Sequence, residues 1–409
     1  MTETPTRERL PLSALLTLAG TVFLVVSGEM MPTAVLPELA ADLEVSLAQA
    51  GLLVSAWAMT VVIASFPLAR ATARLPRAHV EAGALAVFSV ATLVTASAPS
   101  YEVALASRLV AAAATGLLWS TVNAHAASIV PEHRIARATA IVLGGGTLGT
   151  IGGIPAGNAM AQAWGWQAPF LLLGVLGLLG AAAVLALLRT VPLIAPTPSD
   201  HPSGQPAGRA RSLGPVLGVA ALGGLILVAH FAVFTFVAEL LTPSALPTPA
   251  LLLLFGVVSA VGVAAVGVSS DRHPTATPAV TAGMMAAALA AVTVVGRHAG
   301  ADLALVLVWG TVTGAVGPAV QVALMRAAGP QHRSTAGTLM PVAMNFGIAV
   351  GAALGSGVVE RWSLDVLPLV SIVPAVLAAA GFAALGRRRP PSPEAARPTP
   401  AVEPASCRP

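Results

Sequence analysis

Residues 12–51 read LSALLTLAGTVFLVVSGEMMPTAVLPELAADLEVSLAQAG, and this stretch decides the fold. No ionisable residue occurs between Leu10 and Gly28, a run close to the ~20 residues with which a helix crosses ~30 Å of hydrocarbon. A carboxylate, Glu29, then interrupts the same apolar segment. Because an ionised group in hydrocarbon costs roughly 2.5 to 3.5 kcal/mol, such a residue usually faces a watery cavity and serves transport or pairing.

The rest of the chain has the same apolar character. Hydrophobic residues make up 56% of it and charged residues only 9%, with a mean hydropathy of +0.84, which indicates an integral membrane protein. An even number of spans would place both termini on one side of the membrane. Counting uncharged runs predicts twelve spans, at about 12–37, 48–68, 79–98, 101–125, 135–160, 166–188, 214–240, 250–268, 277–297, 301–325, 334–357 and 364–386.

The arginines predict the orientation. All 21 basic residues are arginines, and only Arg297 and Arg361 fall in loops on the side opposite the termini, while Arg108 lies within a span. The positive-inside rule therefore predicts a multi-pass protein of the inner (plasma) membrane with both termini in the cytoplasm. The other arginines are spread over short loops and tails, so we expect no nucleic-acid binding.

The spans divide into two related halves. An offset of 198 residues aligns Gly149 with Gly347 and Trp164 with Trp362, which indicates an all-α membrane protein made of two six-helix pseudo-repeats. Such repeats place a substrate site between them. The predicted segments are a cytoplasmic tail 1–11, a helix bundle 12–188, a cytoplasmic linker 189–213 rich in Pro, Ser and Gly, a second bundle 214–386 and a disordered cytoplasmic tail 387–409.

The opening stretch also carries a motif. Gly28-Glu29 is followed by Leu36-Pro37-Glu38-Leu39, Asp42-Leu43 and Gln49-Ala50-Gly51. This pattern resembles the opening of the twelve-helix drug:proton antiporter branch of the major facilitator superfamily, which includes arabinose-efflux-like and chloramphenicol-resistance exporters. The resemblance covers residues 12–386. It implies the major facilitator fold and export of a small molecule in exchange for protons by alternating access.

Arg108, in the fourth span, resembles the arginine-bearing motif of that family, which implies a role in proton coupling. At ~1.5 Å per residue, Glu29 and Arg108 both fall in the outer half of the membrane, where they could pair or share a cavity. We expect Glu29 to alternate between a protonated and an ionised form, because hydrocarbon favours the first and a nearby Arg108 or cationic substrate the second. The alternative is a static Glu29–Arg108 pair that fixes helix packing.

Glycines recur every four residues along the fifth span, so that a neighbouring backbone can approach closely. These are Gly145, Gly149, Gly153 and Gly157. Together with Pro155 they resemble the family's antiporter motif, although Thr150 stands where that motif has a proline. Close packing alone is the alternative for each glycine.

A cytoplasmic gate is implied by the family signature Gly-x-x-x-Asp-Arg. The loop after the second span keeps basic residues, Arg70, Arg74 and Arg77, but lacks the signature's Gly and Asp. The second half keeps both, ending in Asp271-Arg272. The resemblance therefore assigns the gate to these five charged residues, with the first-half part degenerate.

Six residues are candidates for the substrate cavity: Trp57, Trp119, Asn123, His230, Gln321 and Asn345. Tryptophans could stack on an aromatic or cationic cargo, and core packing is their alternative role. His230 and Asn345 resemble positions retained in the family, and a hydrogen-bonded packing role is the alternative for His230. Asn123 and Gln321 could instead join helices through hydrogen bonds.

Enzymatic chemistry is not indicated. The spans contain no paired metal ligands and no Gly-x-Ser-x-Gly, so we expect no metal, no cofactor and no catalysis. The absence of lysine excludes a P-loop, and hence ATP as the energy source. The sequence thus predicts a monomeric proton-coupled exporter of a small amphipathic drug, such as a phenicol-type antibiotic. The alternatives are export of a sugar, nucleoside or other metabolite, and a non-transporting membrane sensor or scaffold.

Overall fold

The structure is a computed structural model that describes residues 10–131, 134–189, 213–296, 298–329 and 333–387. Within this part the chain is helical and forms no strand. Eleven helices are long and apolar enough to cross a membrane, and the shorter apolar helix Thr277–Val292 completes the predicted twelve. Nearly all of the predicted tails and of the predicted linker lies outside the described residues.

We number the spans α1–α12 in chain order. The fifth is continuous but not uniform, because a π-helical turn, Gly149–Gly153, joins Ile135–Leu148 to Ile154–Trp164. The twelve are Leu12–Ala34, Leu47–Thr72, Arg77–Ala96, Tyr101–Ser128, 135–164, Gln167–Leu188, Gly214–Phe234, Thr248–Arg272, Thr277–Val292, Ala299–Ala328, Arg333–Arg361 and Leu367–Arg387.

The predicted first and seventh spans are too long at their ends. α1 ends at Ala34 and α7 at Phe234, and each is followed by a separate short helix, Leu36–Asp42 after α1 and Val237–Leu241 after α7. Pro37 explains the first break, because proline lacks the N–H that a continuing helix needs and is well suited to begin a new one. The ninth span likewise ends at Val292, before the predicted boundary.

Packing repeats from one half to the other. In the first half α1 contacts α5 and α6, while α3 contacts α4 and α6. In the second half α7 contacts α11 and α12, while α9 contacts α10 and α12. The two pseudo-repeats predicted from the sequence are therefore present as two bundles with the same helix neighbours.

Glycines allow close helix contacts at equivalent places in both bundles. Gly149 and Gly153 of α5 lie against the backbone or Ser27 of α1, and Gly347 and Gly351 of α11 lie against the backbone of α7. A Cβ at any of the four would come within about 3 Å of α1 or α7 atoms. The aligned glycines therefore hold the same pair of spans together in each half.

Successive spans run in opposite directions, so their ends lie on two opposite faces of the molecule. We call the face where α1 begins and α12 ends the terminal face, and the face where α1 ends and α2 begins the distal face. Ser46 begins α2 at the distal face with a capping box, in which its hydroxyl accepts from the Gln49 N–H and the Gln49 side chain accepts from the Ser46 N–H.

The two bundles meet where α2 contacts α11 and where α5 contacts α8. Ser46 donates from Oγ to Glu360 Oε2 at 3.1 Å, and Ser55 donates to the carbonyl oxygen of Ala349 at 2.7 Å. Both bonds lie in the distal halves of their helices, and they are the hydrogen bonds that join the bundles within the described part of the chain. In this structure the two bundles are thus joined by hydrogen bonds toward the distal face.

Candidate functional site

Arg108 is a cation buried to 1% exposure in the middle of the first bundle. It lies on α4, and its guanidinium reaches α1, where Nη1 donates to the carbonyl oxygen of Gly28 at 2.8 Å and Nη2 to that of Glu29 at 3.1 Å. The planar fork of arginine suits two neighbouring acceptors. The two terminal nitrogens of the guanidinium are therefore paired with the backbone of α1.

Pro32 explains why the backbone of α1 can accept these bonds. Inside a helix, the carbonyl of residue i normally accepts from the N–H of residue i+4, which for Gly28 is residue 32. Proline has no N–H, so Pro32 leaves the Gly28 carbonyl without its helical donor. A buried carbonyl without a partner is costly, and Arg108 provides the missing hydrogen bond.

Aromatic rings cover the guanidinium. Its central carbon lies 3.9 Å from the ring centre of Trp57 on α2 and 5.9 Å from that of Phe170 on α6. Trp57 in turn meets Phe88 edge-to-face, with 6.4 Å between ring centres. A cation over a tryptophan face in a dry site is stabilised by roughly 2 kcal/mol. The structure therefore places Trp57 at 1% exposure beneath Arg108, not on an open wall.

Glu29 follows Gly28 on α1 and is 8% exposed. No ion pair joins its carboxylate to Arg108 among the described residues; the contact between the two is through the Glu29 main chain. The sequence predicted that Glu29 and Arg108 lie at a similar depth in the membrane, and the structure brings the two residues together. A static side-chain pair is not what it shows.

Several buried polar atoms beside this site have no protein hydrogen-bond partner in the described part of the chain. At the site itself these are Nε of Arg108 and Nε1 of Trp57; further away are Oγ of Ser27, which faces Gly153 of α5, and Oγ1 of Thr115, about two turns along α4. Buried polar groups in folded proteins are nearly always paired with protein, water or ligand. The junction of α1, α2 and α4 therefore has hydrogen-bonding capacity that water or a cargo could use.

Of the other cavity candidates in the first bundle, Trp119 is half-buried and lines a narrow space of about 10 Å³ between α4 and α1, beside Val22 and Val25. Asn123 lies one turn further along α4, and its Oδ1 is buried without a protein partner among described residues. Trp119 thus continues the α1–α4 contact from Arg108 toward the terminal face.

In the second bundle His230 is 2% exposed and belongs to an aromatic cluster. Trp309 donates from Nε1 to its Nδ1 at 3.1 Å, and the ring stacks on Phe234 with 4.9 Å between centres. Gln321 on α10 is half-buried. Asn345 on α11 donates to the carbonyl of Pro341 at 3.1 Å, and its Oδ1 has no protein partner within the described residues.

The antiporter-motif glycines lie along α1. Gly145 faces the backbone of Ala19, Gly149 that of Phe23, and Gly157 the side chain of Met31. Gly153 faces Ser27, and Pro155 is buried just after the π-helical turn. The glycine-bearing face of α5 is thus the surface that contacts the span carrying Glu29.

The structure describes four of the five predicted gate residues, and it shows a side-chain hydrogen bond for Arg77. Arg70, Arg74 and Arg272 are exposed at the terminal face. Arg77 donates from Nη1 to the carbonyl of Ala124 at 3.0 Å, which ties the start of α3 to α4. The side chain of Asp271 lies outside the part of the structure that is described.

Sequence analysis missed a buried acid–base pair. Glu81 on α3 and His125 on α4 are 0% and 2% exposed, and Oε2 lies 2.7 Å from Nδ1. The signal was present, because Glu81 is a charged residue inside a predicted span, as Glu29 is. Within the described residues no group of three side chains could hold a metal ion.

A helical membrane protein with two like bundles, and a buried charge where α4 crosses α1, has the architecture of a transporter. The Major Facilitator Superfamily profile matches residues 18–341, and the chain belongs to that family. It is therefore a multi-span membrane transporter of small molecules and not an enzyme.

Relatives are similar over most of the chain. A chloramphenicol efflux pump of Mycobacterium tuberculosis is 31% identical, over 84% of this chain and 85% of that protein. A chloramphenicol resistance protein of Streptomyces lividans is 32% identical, over 84% and 88%. A probable sugar efflux transporter of Mannheimia succiniciproducens is 28% identical, over 87% and 89%. The family resemblance read from the opening motif is confirmed.

The fold is also found among solved structures. A bacterial homologue of the human lysosomal transporter Spinster, solved inward-facing and unoccupied, matches with a TM-score of 0.74 and 17% identity. The match covers 93% of this chain and 98% of that one. The predicted twelve-helix major facilitator fold is thereby confirmed.

Proposed function

We propose that this transporter exports a small amphipathic drug, of which a phenicol-type antibiotic is the leading example, in exchange for protons. The observation that carries the proposal is the similarity, over 84% of the chain, to a chloramphenicol efflux pump and a chloramphenicol resistance protein. The buried Glu29 beside Arg108 supports it, because an exchanger needs a group that can bind either a proton or a cargo.

Glu29 is the proton-binding group in this proposal. Arg108 directs two donors to backbone carbonyls, so the carboxylate of Glu29 is not held in an ion pair within the described residues. A carboxylate in that position can be neutralised by a proton when the cargo is absent. When it is ionised, the nearby positive charge of Arg108 stabilises it.

Arg108 has a second role, which is to fix α4 to α1. Its two hydrogen bonds and the Trp57 ring restrict the guanidinium to one geometry. A rearrangement of α1 on protonation of Glu29 would therefore displace α2 and α4 together. That is a physical route from proton binding to movement of the first bundle.

For cargo contact we favour the polar candidates with unused oxygen atoms. Asn123 on α4 and Asn345 on α11 each have a buried Oδ1 without a protein partner among the described residues, and they come from different bundles. A cargo between the bundles could bridge them. The ring faces of His230 and Trp57 are already covered by Phe234 and by the Arg108 guanidinium, so we assign these two residues to shaping the site and not to stacking on the cargo.

The remaining features of the transporter follow the same proposal. The terminal face lies in the cytoplasm, the protein acts as a monomer in the plasma membrane, and residues 189–213 link the bundles 12–188 and 214–386. Arg70, Arg74, Arg77, Asp271 and Arg272 serve the cytoplasmic gate. The concentration of arginines in the loops of the terminal face supports this orientation.

The second candidate function is export of a sugar, nucleoside or other metabolite. It is favoured by the similarity to a probable sugar efflux transporter over 87% of the chain. The fold and the Glu29–Arg108 arrangement suit both cargo classes, because cavities of this kind recognise shape with few polar contacts.

The test is cargo-induced proton movement in energised inverted vesicles, measured with a pH-sensitive dye. The panel contains phenicols, cationic dyes, sugars and nucleosides. Wild type is compared with Glu29→Gln and with the matched control Glu102→Gln, which removes an exposed carboxylate at the start of α4.

A phenicol response that Glu29→Gln abolishes and Glu102→Gln retains is the expected result. A response to sugars or nucleosides alone would favour the second candidate. Full proton-coupled transport by Glu29→Gln would remove Glu29 from the coupling role, and silence across the panel would contradict both cargo classes.

A further inference from the structure

The seam between α2 and α11, where the bundles meet near the distal face, contains a serine without a hydrogen-bond partner. Three residues of α2 contact α11 in order from the distal end: Ser46 meets Glu360, Gly51 meets Ser356, and Ser55 meets Ala349. The first and third contacts are hydrogen bonds. The middle contact is not, because Oγ of Ser356 has no protein partner within the described residues.

Ser356 is 3% exposed, so its hydroxyl is enclosed by the protein. A buried serine in a helix can donate to the carbonyl one turn earlier. Ser89, Ser259 and Ser371 do so in other spans of this protein. Ser356 makes no such bond to Ala352 or to any other described residue. An unpaired buried hydroxyl disfavours the packed state that contains it by roughly 5- to 150-fold in an equilibrium constant.

The surroundings of this hydroxyl come from both bundles. A Cβ at Gly51 of α2 would lie 2.7 Å from Oγ of Ser356 and 2.8 Å from the ring of Phe236. Phe236 is fully buried and directly follows α7 and Thr235, so it belongs to the second bundle, as Ser356 does. Gly51 is therefore the part of this contact that leaves when the bundles separate at the distal face.

We propose that the unpaired hydroxyl of Ser356 limits the stability of the closed distal face. While α2 and α11 are in contact, Gly51 and Phe236 cover the hydroxyl and offer it no acceptor. When the distal ends separate, water reaches the hydroxyl and satisfies it. The serine thus shifts the equilibrium toward the distal-open state, which a transporter that works by alternating access visits in every cycle.

The proposal depends neither on the cargo nor on proton coupling, because it concerns only the equilibrium between the distal-closed and distal-open states. Cysteine labelling measures this equilibrium in the purified full chain in lipid nanodiscs. Ala48 is buried and lies on the same face of α2 as Gly51 and Ser55, so it serves as the labelling position. Every protein carries Ala48→Cys and has the native Cys407 replaced by serine.

A maleimide is added at concentrations where the labelling rate is proportional to its concentration. In that regime the rate is also proportional to the equilibrium constant for opening. Ser356→Ala should slow labelling by roughly 5- to 150-fold, because the closed state no longer contains an unpaired hydroxyl.

Two further variants make the test specific. Ser371→Ala is the matched control, because Ser371 is also buried in a span but donates to the carbonyl of Leu367 at 2.8 Å. It should leave the labelling rate unchanged. Gly51→Ala should accelerate labelling, since the added methyl group overlaps Ser356 and Phe236 and therefore disfavours the closed state.

Opposite effects at Ser356 and Gly51 distinguish the proposal from a general loosening of the fold, which would accelerate labelling in both variants. An unchanged or faster rate in Ser356→Ala would overturn the proposal. So would an equal slowing in Ser371→Ala, which would trace the effect to the loss of any buried hydroxyl. An unchanged rate in Gly51→Ala would contradict the close contact on which the proposal rests. The apparent Tm of each variant verifies that it is folded.

Discussion

Arg108 supplies to α1 the hydrogen bond that Pro32 cannot make. The guanidinium Nη1 lies 2.8 Å from the Gly28 carbonyl oxygen, whose donor in an unbroken helix would be the N–H of residue 32. The proline and the arginine are 76 positions apart in the chain (108 − 32) but serve one carbonyl. Pro32 thus helps to explain why a buried arginine is tolerated here.

A double-mutant cycle tests this relationship. Arg108→Gln should lower the apparent Tm markedly, because an unsatisfied buried carbonyl costs about 1 to 3 kcal/mol. In the Pro32→Ala background the new N–H can satisfy Gly28, so the same Arg108→Gln change should cost less, with a coupling of roughly 0.5 to 3 kcal/mol. Thermal unfolding of the four proteins in detergent gives the coupling. Equal losses in both backgrounds would show that Pro32 and Arg108 act independently.

Sequence alone predicted the twelve spans, the repeat and the depth of Glu29 and Arg108. These depend on hydropathy, on an internal offset and on the rise of a helix, all of which are properties of consecutive residues. The contact between Arg108 and the backbone of Gly28 was not predicted, because it depends on how α4 crosses α1. Pro32 was the available signal, four residues after Gly28, but a freed carbonyl does not say which side chain will reach it.

Other features depend on packing that the sequence leaves open. By sequence His230 suits cargo contact and packing equally well, because its hydrogen-bond donor, Trp309, lies far along the chain. Glu81 was visible as a charge in a span, but its partner His125 lies on the next helix. The π-helical turn in α5 lies where its glycines contact α1, and no periodicity of the sequence records it.

Adjacent glycines in α5 should respond very differently to the same substitution. At Gly145 a Cβ would overlap the backbone of Ala19 on α1, whereas at Gly144 it would meet no atom within 4 Å. Gly145→Ala should therefore push α5 from α1 and destabilise the bundle by about 1 to 3 kcal/mol or more. Gly144→Ala should be neutral or slightly stabilising. Folded yield and apparent Tm in detergent measure both, and equal effects would contradict the close contact.

The buried pair Glu81–His125 should behave as a unit. Glu81→Leu leaves a buried imidazole without its partner, and His125→Leu leaves a buried carboxylate, so each single change should cost roughly 3 to 5 kcal/mol. The double change to leucine leaves neither group unpaired and should be less destabilising than either single change. Apparent Tm values for the three variants decide the matter. Additive losses would mean that the two side chains do not depend on one another.

The distal contacts between the bundles should block transport when they are made permanent. Ser46 and Glu360 are exposed and joined by a 3.1 Å hydrogen bond, so cysteines at both positions should be linked by an oxidant or a short bifunctional reagent. Alternating access requires the distal ends to separate, and the link should abolish cargo movement in vesicles. The native Cys407 is first replaced by serine.

A linked pair within one bundle is the control for that experiment. Asp42 accepts a hydrogen bond from Gln167 at 3.0 Å, so cysteines there join the short helix after α1 to the start of α6 without crossing between bundles. This link should leave most transport intact, and reduction should restore transport in the Ser46/Glu360 variant. Undiminished transport by a fully linked Ser46/Glu360 variant would show that the distal ends need not separate, and the bundles would then have to move about this contact instead of opening it.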